Sequence, residues 1–450
     1  MARRKKAEPA GNDEDQTVII KDPKIWTGEG LREGSILIEK GKIKKIGIKV
    51  PAVTSNQINA RGLLALPGLI DVHVHLRDME FSYKEDFTSG TSAAAAGGFT
   101  SLLDMPNSKP PTDSPERLKE RMEVASRKIL VNVGFHTAAV RSATSTIQMA
   151  ELGAFSLKLY MPHPISPIEV ENDEEVLRVM KIASRISLPV TVHAEEPSLL
   201  HDPSRARTYR DLTRTRPPNA EYHSVRRILR LQQLSNCSVH FAHITLPSSL
   251  TLIERRHSRN VTSEVTPHHL LLSEAQLETL GWKAWMVPPL RRPGVRRQLL
   301  SAVSRGLATM VASDHAPHSI DEKRQSVAKV PPGIPGLETT LPLLLTLVSK
   351  GKMSLKRMVN MLSANPAERF GIPSKGRLTV GADGDVTLVD PRKRSRVNPE
   401  NFMSKAKYSP FEGFETQGGV EKTIVAGRVV FDSGRIIAPV GVGQVLRRVS

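Results

Sequence analysis

The sequence predicts an α/β fold: a (β/α)8 TIM barrel carrying a small β-sandwich domain built from both chain ends. Three observations lead there. Eight short, apolar, β-rich runs alternate with helix-compatible segments through the middle of the chain. β-branched runs with Gly turns stand at both ends, and none of that style lies between them. Histidines and an aspartate close several of the central runs, at the strand ends where such barrels carry their chemistry.

Residues 1–16, MARRKKAEPAGNDEDQ, are charged and aperiodic and read as a disordered tail. No apolar core follows the charges, so they are not a secretory signal. TVIIKDPKIW (17–26) and GSILIEKGKIKKIG (34–47) read as strands, the second folding back at 39–41. Residues 17–66 are expected to give the N-terminal part of a composite β-domain. Residues 67–372 are expected to form the barrel, longer than the ~250 residues typical of the fold. Its strands are read at 68–75, 99–107, 129–137, 155–161, 188–195, 238–244, 260–270 and 308–318. In 176–186 the apolar positions 176, 179, 180, 183 and 186 follow the helical period. Stretches 93–96 and 115–128 are helix-compatible, and helices near 336–350 and 354–363 would close the barrel. GDVTLVD (384–390) and VEKTIVAGRVVFDSGRII (420–437) read as strands, so 373–450 is expected to complete the β-domain.

Composition narrows the class. The 450 residues are 39% hydrophobic, too apolar for a disordered chain. The longest apolar stretch, 341–348, falls far short of the ~20 residues a bilayer needs. The single cysteine, Cys237, excludes an intrachain disulfide and a multi-cysteine metal site. A soluble cytoplasmic protein without a membrane partner is expected. The net charge of +18 comes with basic clusters at Arg207, Arg210, Arg214 and Arg216, at Arg226, Arg227 and Arg230, and at Arg291, Arg292, Arg296 and Arg297. With 3 Trp, 5 Tyr and 11 Phe there are few stacking platforms, and no nucleic-acid motif is present, so no nucleic-acid partner is expected. Solvated helix faces and ion pairs account for most of these charges, and a basic surface suits an anionic metabolite or an acidic partner protein.

The candidate site is read from the strand ends. His73 and His75 are two apart, so both face one side of a strand and can hold one divalent metal, or can serve structure alone. His193, His243 and Asp314 also close predicted strands. Lys158, in strand four, either snorkels or pairs, or it faces the interior and adds carbon dioxide. The resulting carbamate would bridge two metals and offset part of their charge. His136, His268, His269, Asp71 and Asp104 read as structural or supporting groups, and Cys237 as buried.

PGLIDVHVHLRD (67–78), DMPNSKPP (104–111), LKLYM (157–161), VHAE (192–195), EVTPHH (264–269) and SDHAPH (313–318) resemble the amidohydrolase superfamily. Within it they are similar to the dihydroorotases of the type fused into animal pyrimidine-synthesis polyproteins, as are GIPGLETTLPLLL (333–345) and YSPFEG (408–413). The resemblance spans about 17–445 and implies a barrel with a flanking β-domain and two zinc ions per chain. It implies His73 and His75 on the more buried metal, Lys158 as the carboxylated bridge, and His193 and His243 on the second metal. Asp314 would bind metal and shuttle the proton. Arg77 and Asn107, helped by His318, would hold the substrate carboxylate, and the Pro332–Gly333 backbone would meet the ring. Glu264 matches a position that binds an additional metal in some relatives, a role not carried over here. Two departures stand out: Met79-Glu80 where many bacterial relatives have Pro-Gly, and Val287 where they often carry Asn in a loop against the substrate.

The implied reaction is reversible cyclisation of N-carbamoyl-L-aspartate to L-dihydroorotate in pyrimidine biosynthesis, through a hydroxide bridging both metals. A hydantoinase or allantoinase would share the metal ligands, but its substrate lacks the carboxylate that Arg77 would clamp. A non-catalytic scaffold for a transcarbamoylase would lose ligands, whereas all six are present. An active enzyme docked on an aspartate transcarbamoylase, and a homo-oligomer, both remain open.

Overall fold

The computed structural model describes residues 17–50 and 54–449. The tail expected over 1–16 lies outside the described residues. Eight parallel strands follow one another around the barrel: Leu69–Val74, Phe99–Asp104, Asn132–Phe135 (resuming as Thr137–Ala138), Leu157–Tyr160, Val190–His193, Val239–Phe241, Val261–Val265 and Met310–Val311. The ring closes where Val74 bridges His315 and the His75 amide donates to the His315 carbonyl at 2.8 Å.

Helices fall where the patterns expect them. In Asp173–Arg185 residues 176, 179, 180 and 183 are buried, and Asn172 caps its start by accepting from the Glu174 amide. Pro115–Ser126 begins with proline after a Ser114 cap, a position where the missing amide hydrogen costs nothing. All eight strands are shorter than the runs expected for them, the last two most of all. The seventh stops at Val265 because Thr266 caps a short helix, Pro267–Leu271, that carries His268 and His269. The eighth spans only Met310–Val311, and beyond it Asp314 takes a left-handed φ of 47°, which no strand accommodates.

Both chain ends build a sandwich beside the barrel. One sheet holds Thr17–Lys21, Ser35–Glu39, Lys42–Gly47 and Gln57–Asn59. The other runs from Arg435–Ile436 through Arg428–Asp432, Glu415–Val425, Val386–Arg396, Leu64–Pro67 and Lys24–Trp26 to Leu31–Glu33. Between them pack Val18, Ile20, Ile36, Ile38, Val386, Leu388 and Ile424. Parts of 373–450 lie against the barrel instead. Tyr408 reaches the barrel mouth, where its hydroxyl accepts from the His318 amide. Near the end of the chain, Leu446 and Arg448 donate backbone hydrogen bonds to Val133 and Gly153. Among the described residues no helix is long and apolar enough to cross a membrane.

Candidate metal centre and active-site cavity

His73 lies in strand one and His75 just beyond its end, and both imidazoles point into the barrel mouth because strand side chains alternate. The Nδ1 of His73 meets Glu264 Oε1 at 2.5 Å, and the Nδ1 of His75 meets Asn107 Oδ1 at 2.5 Å. Both partners are acceptors, so each Nδ1 carries the proton and each Nε2 presents a lone pair. Those two Nε2 atoms lie 3.5 and 3.3 Å from Asp314 Oδ1. Three acceptors thus converge with no donor among them, an arrangement that a cation neutralises; these three residues form a geometrically competent ligand group.

A second pair stands beside them. His193 Nδ1 and His243 Nε2 are 2.9 Å apart. His193 Nε2 donates to Glu195 Oε2 at 2.6 Å, which turns its Nδ1 lone pair toward His243. The Lys158 amine is buried with no hydrogen-bond partner. Burial brings its pKa down to about 8, which makes the neutral amine accessible near neutral pH. Burial also lowers all four imidazoles, His193 to about 4, so each is neutral at pH 7 and able to bind metal. Burial raises the Asp314 carboxyl. Three site residues sit at positive φ: Arg77 at 57°, His243 at 34° and Asp314 at 47°. Such strain persists only where surrounding contacts enforce it, and it gathers at functional sites.

A cavity of about 120 Å³ opens over these groups. Of the expected site residues, His73, His75, Arg77, Asn107, Lys158, His193, His243, Val287, Asp314, Pro332 and Gly333 line it. His318 stands behind the wall: its Nε2 donates to the Pro332 carbonyl at 3.0 Å and lies 3.3 Å from Arg77 Nη2. Arg77 Nε donates to the Pro317 carbonyl at 3.3 Å. Its loop is anchored by Asp78, which accepts from the Phe87 amide at 2.9 Å and from Lys128 Nζ at 3.1 Å. Met79 has a φ of 51°, so the proline found there in many bacterial relatives could not adopt this loop conformation. Gly333, at a φ of 134°, lies so close to the Ala316 carbonyl oxygen that a Cβ would stand 2.4 Å from it.

Other residues gain a place that the sequence did not disclose. Tyr160 and Ile165 line the cavity. Arg216 contacts Glu195 Oε2 at 2.5 Å; burial raises that carboxyl, but Arg216 and His193 outweigh it and bring it to about 2. Lys323, fully buried, donates to the carbonyls of Trp285, Pro331 and Gly333 at 3.2, 3.0 and 2.9 Å and so ties together two loops of the cavity wall. Glu264 holds His73 and also accepts from His240 Nε2 at 2.9 Å. His136, between Ser156 Oγ and the Val72 carbonyl, and His269, between Thr266 and the Pro288 carbonyl, have both ring nitrogens engaged away from the cavity.

The chain is 39% identical over 426 residues to a dihydroorotase of Methanothermobacter thermautotrophicus, covering 92% of this chain and 93% of that protein. It is 34% identical over 427 residues to a dihydroorotase of Bacillus cytotoxicus, covering 92% and 98%. Among solved structures it resembles an L-hydantoinase (dihydropyrimidinase) from Arthrobacter aurescens, with a TM-score of 0.91, 29% identity, and coverage of 96% of this chain and 99% of that one. A dihydropyrimidinase from Brevibacillus agri follows at a TM-score of 0.88 and 28% identity, covering 96% and 98%. The amidohydrolase family model matches residues 64–430, which take in every barrel strand and every group described above, and the chain belongs to that family.

Proposed function

We propose that this amidohydrolase is a dihydroorotase, interconverting N-carbamoyl-L-aspartate and L-dihydroorotate with loss or gain of water in pyrimidine biosynthesis. The observation that carries this reading is Arg77. Its guanidinium lines the cavity beside Asn107 and makes no ion pair of its own among the described residues. Both proposed reactants have a carboxylate that does not react, and a guanidinium can clamp one bidentately. Hydantoin has none, and would leave Arg77 buried and uncompensated. The identity to dihydroorotases supports the same reading, whereas the likeness to hydantoinases is one of overall fold at lower identity.

Two divalent ions, zinc in this reading, would be held by His73, His75 and Asp314 and by His193 and His243. A carbamate formed from the Lys158 amine and carbon dioxide would lie between them. When bound, such ions polarise a carbonyl and lower the pKa of water. The remaining work falls to the chain. Arg77 and Asn107 hold the unreactive carboxylate, and Pro332 and Gly333 present their backbone to the ring together with the loop of Val287. His318 braces the Pro332 carbonyl. In the hydrolytic direction Asp314 takes a proton from the attacking water and returns it to the ring nitrogen as the carbon–nitrogen bond breaks. In the biosynthetic direction protonated Asp314 gives that proton to the departing oxygen.

The test is a side-by-side assay of dihydroorotate, hydantoin, dihydrouracil and allantoin on protein purified without chelator, with metal counted in the same sample. Dihydroorotate should be preferred by orders of magnitude, with close to two divalent ions per chain. A preference for hydantoin or dihydrouracil would make the chain a cyclic amidase of another specificity.

A further inference from the structure

A broad depression on the described surface lies at the opposite end of the barrel from the proposed reaction site. It encloses about 780 Å³ below strands five to eight, and Ser187, Ser238, Asn260 and Thr309, which lead into those strands, line it. Two arginines from distant parts of the chain meet there. Arg369 comes from helix Ala364–Phe370, and Arg448 from the final segment of the chain.

Neither arginine forms an ion pair among the described residues. Arg369 donates to Ser238 Oγ and, at 3.5 Å, to the Asn260 carbonyl; Arg448 donates to the Ser187 carbonyl at 2.8 Å. All of these acceptors are neutral. The Nε of each guanidinium is buried and has no partner. Burial lowers both guanidinium pKa values, and burial together with the nearby Arg448 brings Arg369 to about 10. Two like charges, partly withdrawn from water and without a counter-charge, are costly unless an anion joins them. Two carboxylates border the depression, Glu254 and Glu368, but both are exposed at its rim and neither reaches a guanidinium.

We propose that this depression is a binding site for a phosphate-bearing small molecule, with the phosphate between Arg369 and Arg448. Guanidinium groups match phosphate oxygens in pairs, and neither of these is spent on a carboxylate among the described residues. The rest of the wall combines neutral hydrogen-bonding side chains, among them Asn236, Thr262 and Asn365, with the exposed Glu254, Arg259 and Glu368. That lining, and a volume several times that of a phosphate ion, suit a sugar or nucleoside carried on the phosphate. The site does not depend on the reaction assigned to the other end of the barrel.

Calorimetric titration of the metal-loaded full chain with inorganic phosphate and with adenosine 5′-monophosphate, at fixed ionic strength, tests this. Saturable binding is expected with both. Arg448→Gln should weaken it at least tenfold, and Arg369→Gln likewise. Arg77→Met, at the other end of the barrel, should leave it unchanged. Tighter binding of the nucleotide would assign the hydrogen-bonding wall to the remainder of the ligand; equal binding would assign a site for phosphate alone. Arg369 also joins the starts of two strands, so thermal unfolding of its variant is measured alongside. Arg448, near the chain end, carries the test if Arg369→Gln does not fold. No saturable binding of either probe would overturn the proposal. So would binding that Arg448→Gln leaves intact, or binding that Arg77→Met abolishes, which would move the anion to the reaction site.

Discussion

Glu195 accepts a hydrogen bond from the Nε2 of His193 at 2.6 Å, and this contact decides which lone pair His193 turns toward His243. Glu195 is itself held by Arg216 at 2.5 Å, so three side chains in series set one imidazole. Groups that orient a metal-binding histidine raise its basicity and fix its tautomer.

Arg216→Met should therefore weaken metal binding without touching a ligand. The expected loss is about 10–100-fold in affinity for the metal that His193 and His243 are proposed to hold. Competition with a graded series of chelators would measure it, with the His73 site as internal reference. An unchanged affinity would reduce Arg216 to a structural ion pair.

Lys158 offers a second handle. Its amine is buried and unpartnered, so Lys158→Ala removes no hydrogen bond among the described residues. The variant should fold, bind less metal and lose most of its activity. Short carboxylic acids should restore part of both by filling the vacated space. A variant that retains full activity and metal without them would rule out a bridging carbamate.

Much of this arrangement is legible in the sequence, and the reason is periodicity. Alternation along a strand puts His73 and His75 on one face, and the barrel rule places chemistry at strand ends, so Lys158, His193, His243 and Asp314 could be read one strand at a time. What escaped were contacts made across loops. Arg216 stands in a run with Arg207, Arg210 and Arg214 and looks like a solvated face; only the fold brings it to Glu195. Glu195, two residues beyond His193 and on the same face, was a signal within reach. Lys323 lies in the polar run DEKRQ, and nothing local announces the three carbonyls that surround it. The sandwich was legible from its two sets of β-branched runs, but the course of Tyr408 and Arg448 onto the barrel was not, since both lie outside regular elements.

His136 makes a prediction about pH. Burial lowers its pKa to about 3, against 6.5 for the free side chain. Between those values the unfolded chain binds a proton that the folded chain refuses. Stability from this group is therefore fully present above about pH 6.5 and is lost as pH falls toward 3, by about 1.4 kcal/mol per pH unit at most. His136→Gln, which cannot titrate, should be less stable than the wild type at pH 7, because it disturbs the bonds to Ser156 and Val72. The gap should narrow steadily between pH 6 and pH 4 in urea denaturation. A constant gap across that range would mean that His136 is protonated in the folded protein.

The decisive variant for specificity is Arg77→Met. Arg77 lines the cavity without being a candidate metal ligand, and its backbone, at a φ of 57°, is held by the neighbouring Asp78 anchor rather than by its own side chain. Removing the guanidinium should leave the loop and the metal content as they were. A charged hydrogen bond contributes about 1.5–3 kcal/mol, and a bidentate clamp makes two of them. Hydrolysis of dihydroorotate should therefore fall by two to four orders of magnitude in kcat/KM. Dihydrouracil, which has the same ring without the carboxylate, should be a poor substrate for the wild type and change little in the variant. The ratio of the two substrates, rather than either rate alone, separates a lost carboxylate clamp from general damage, since damage would lower both. A variant that lowers both equally, or that keeps its activity on dihydroorotate, would take the carboxylate-binding role away from Arg77 and with it the main support for a dihydroorotase over a hydantoinase.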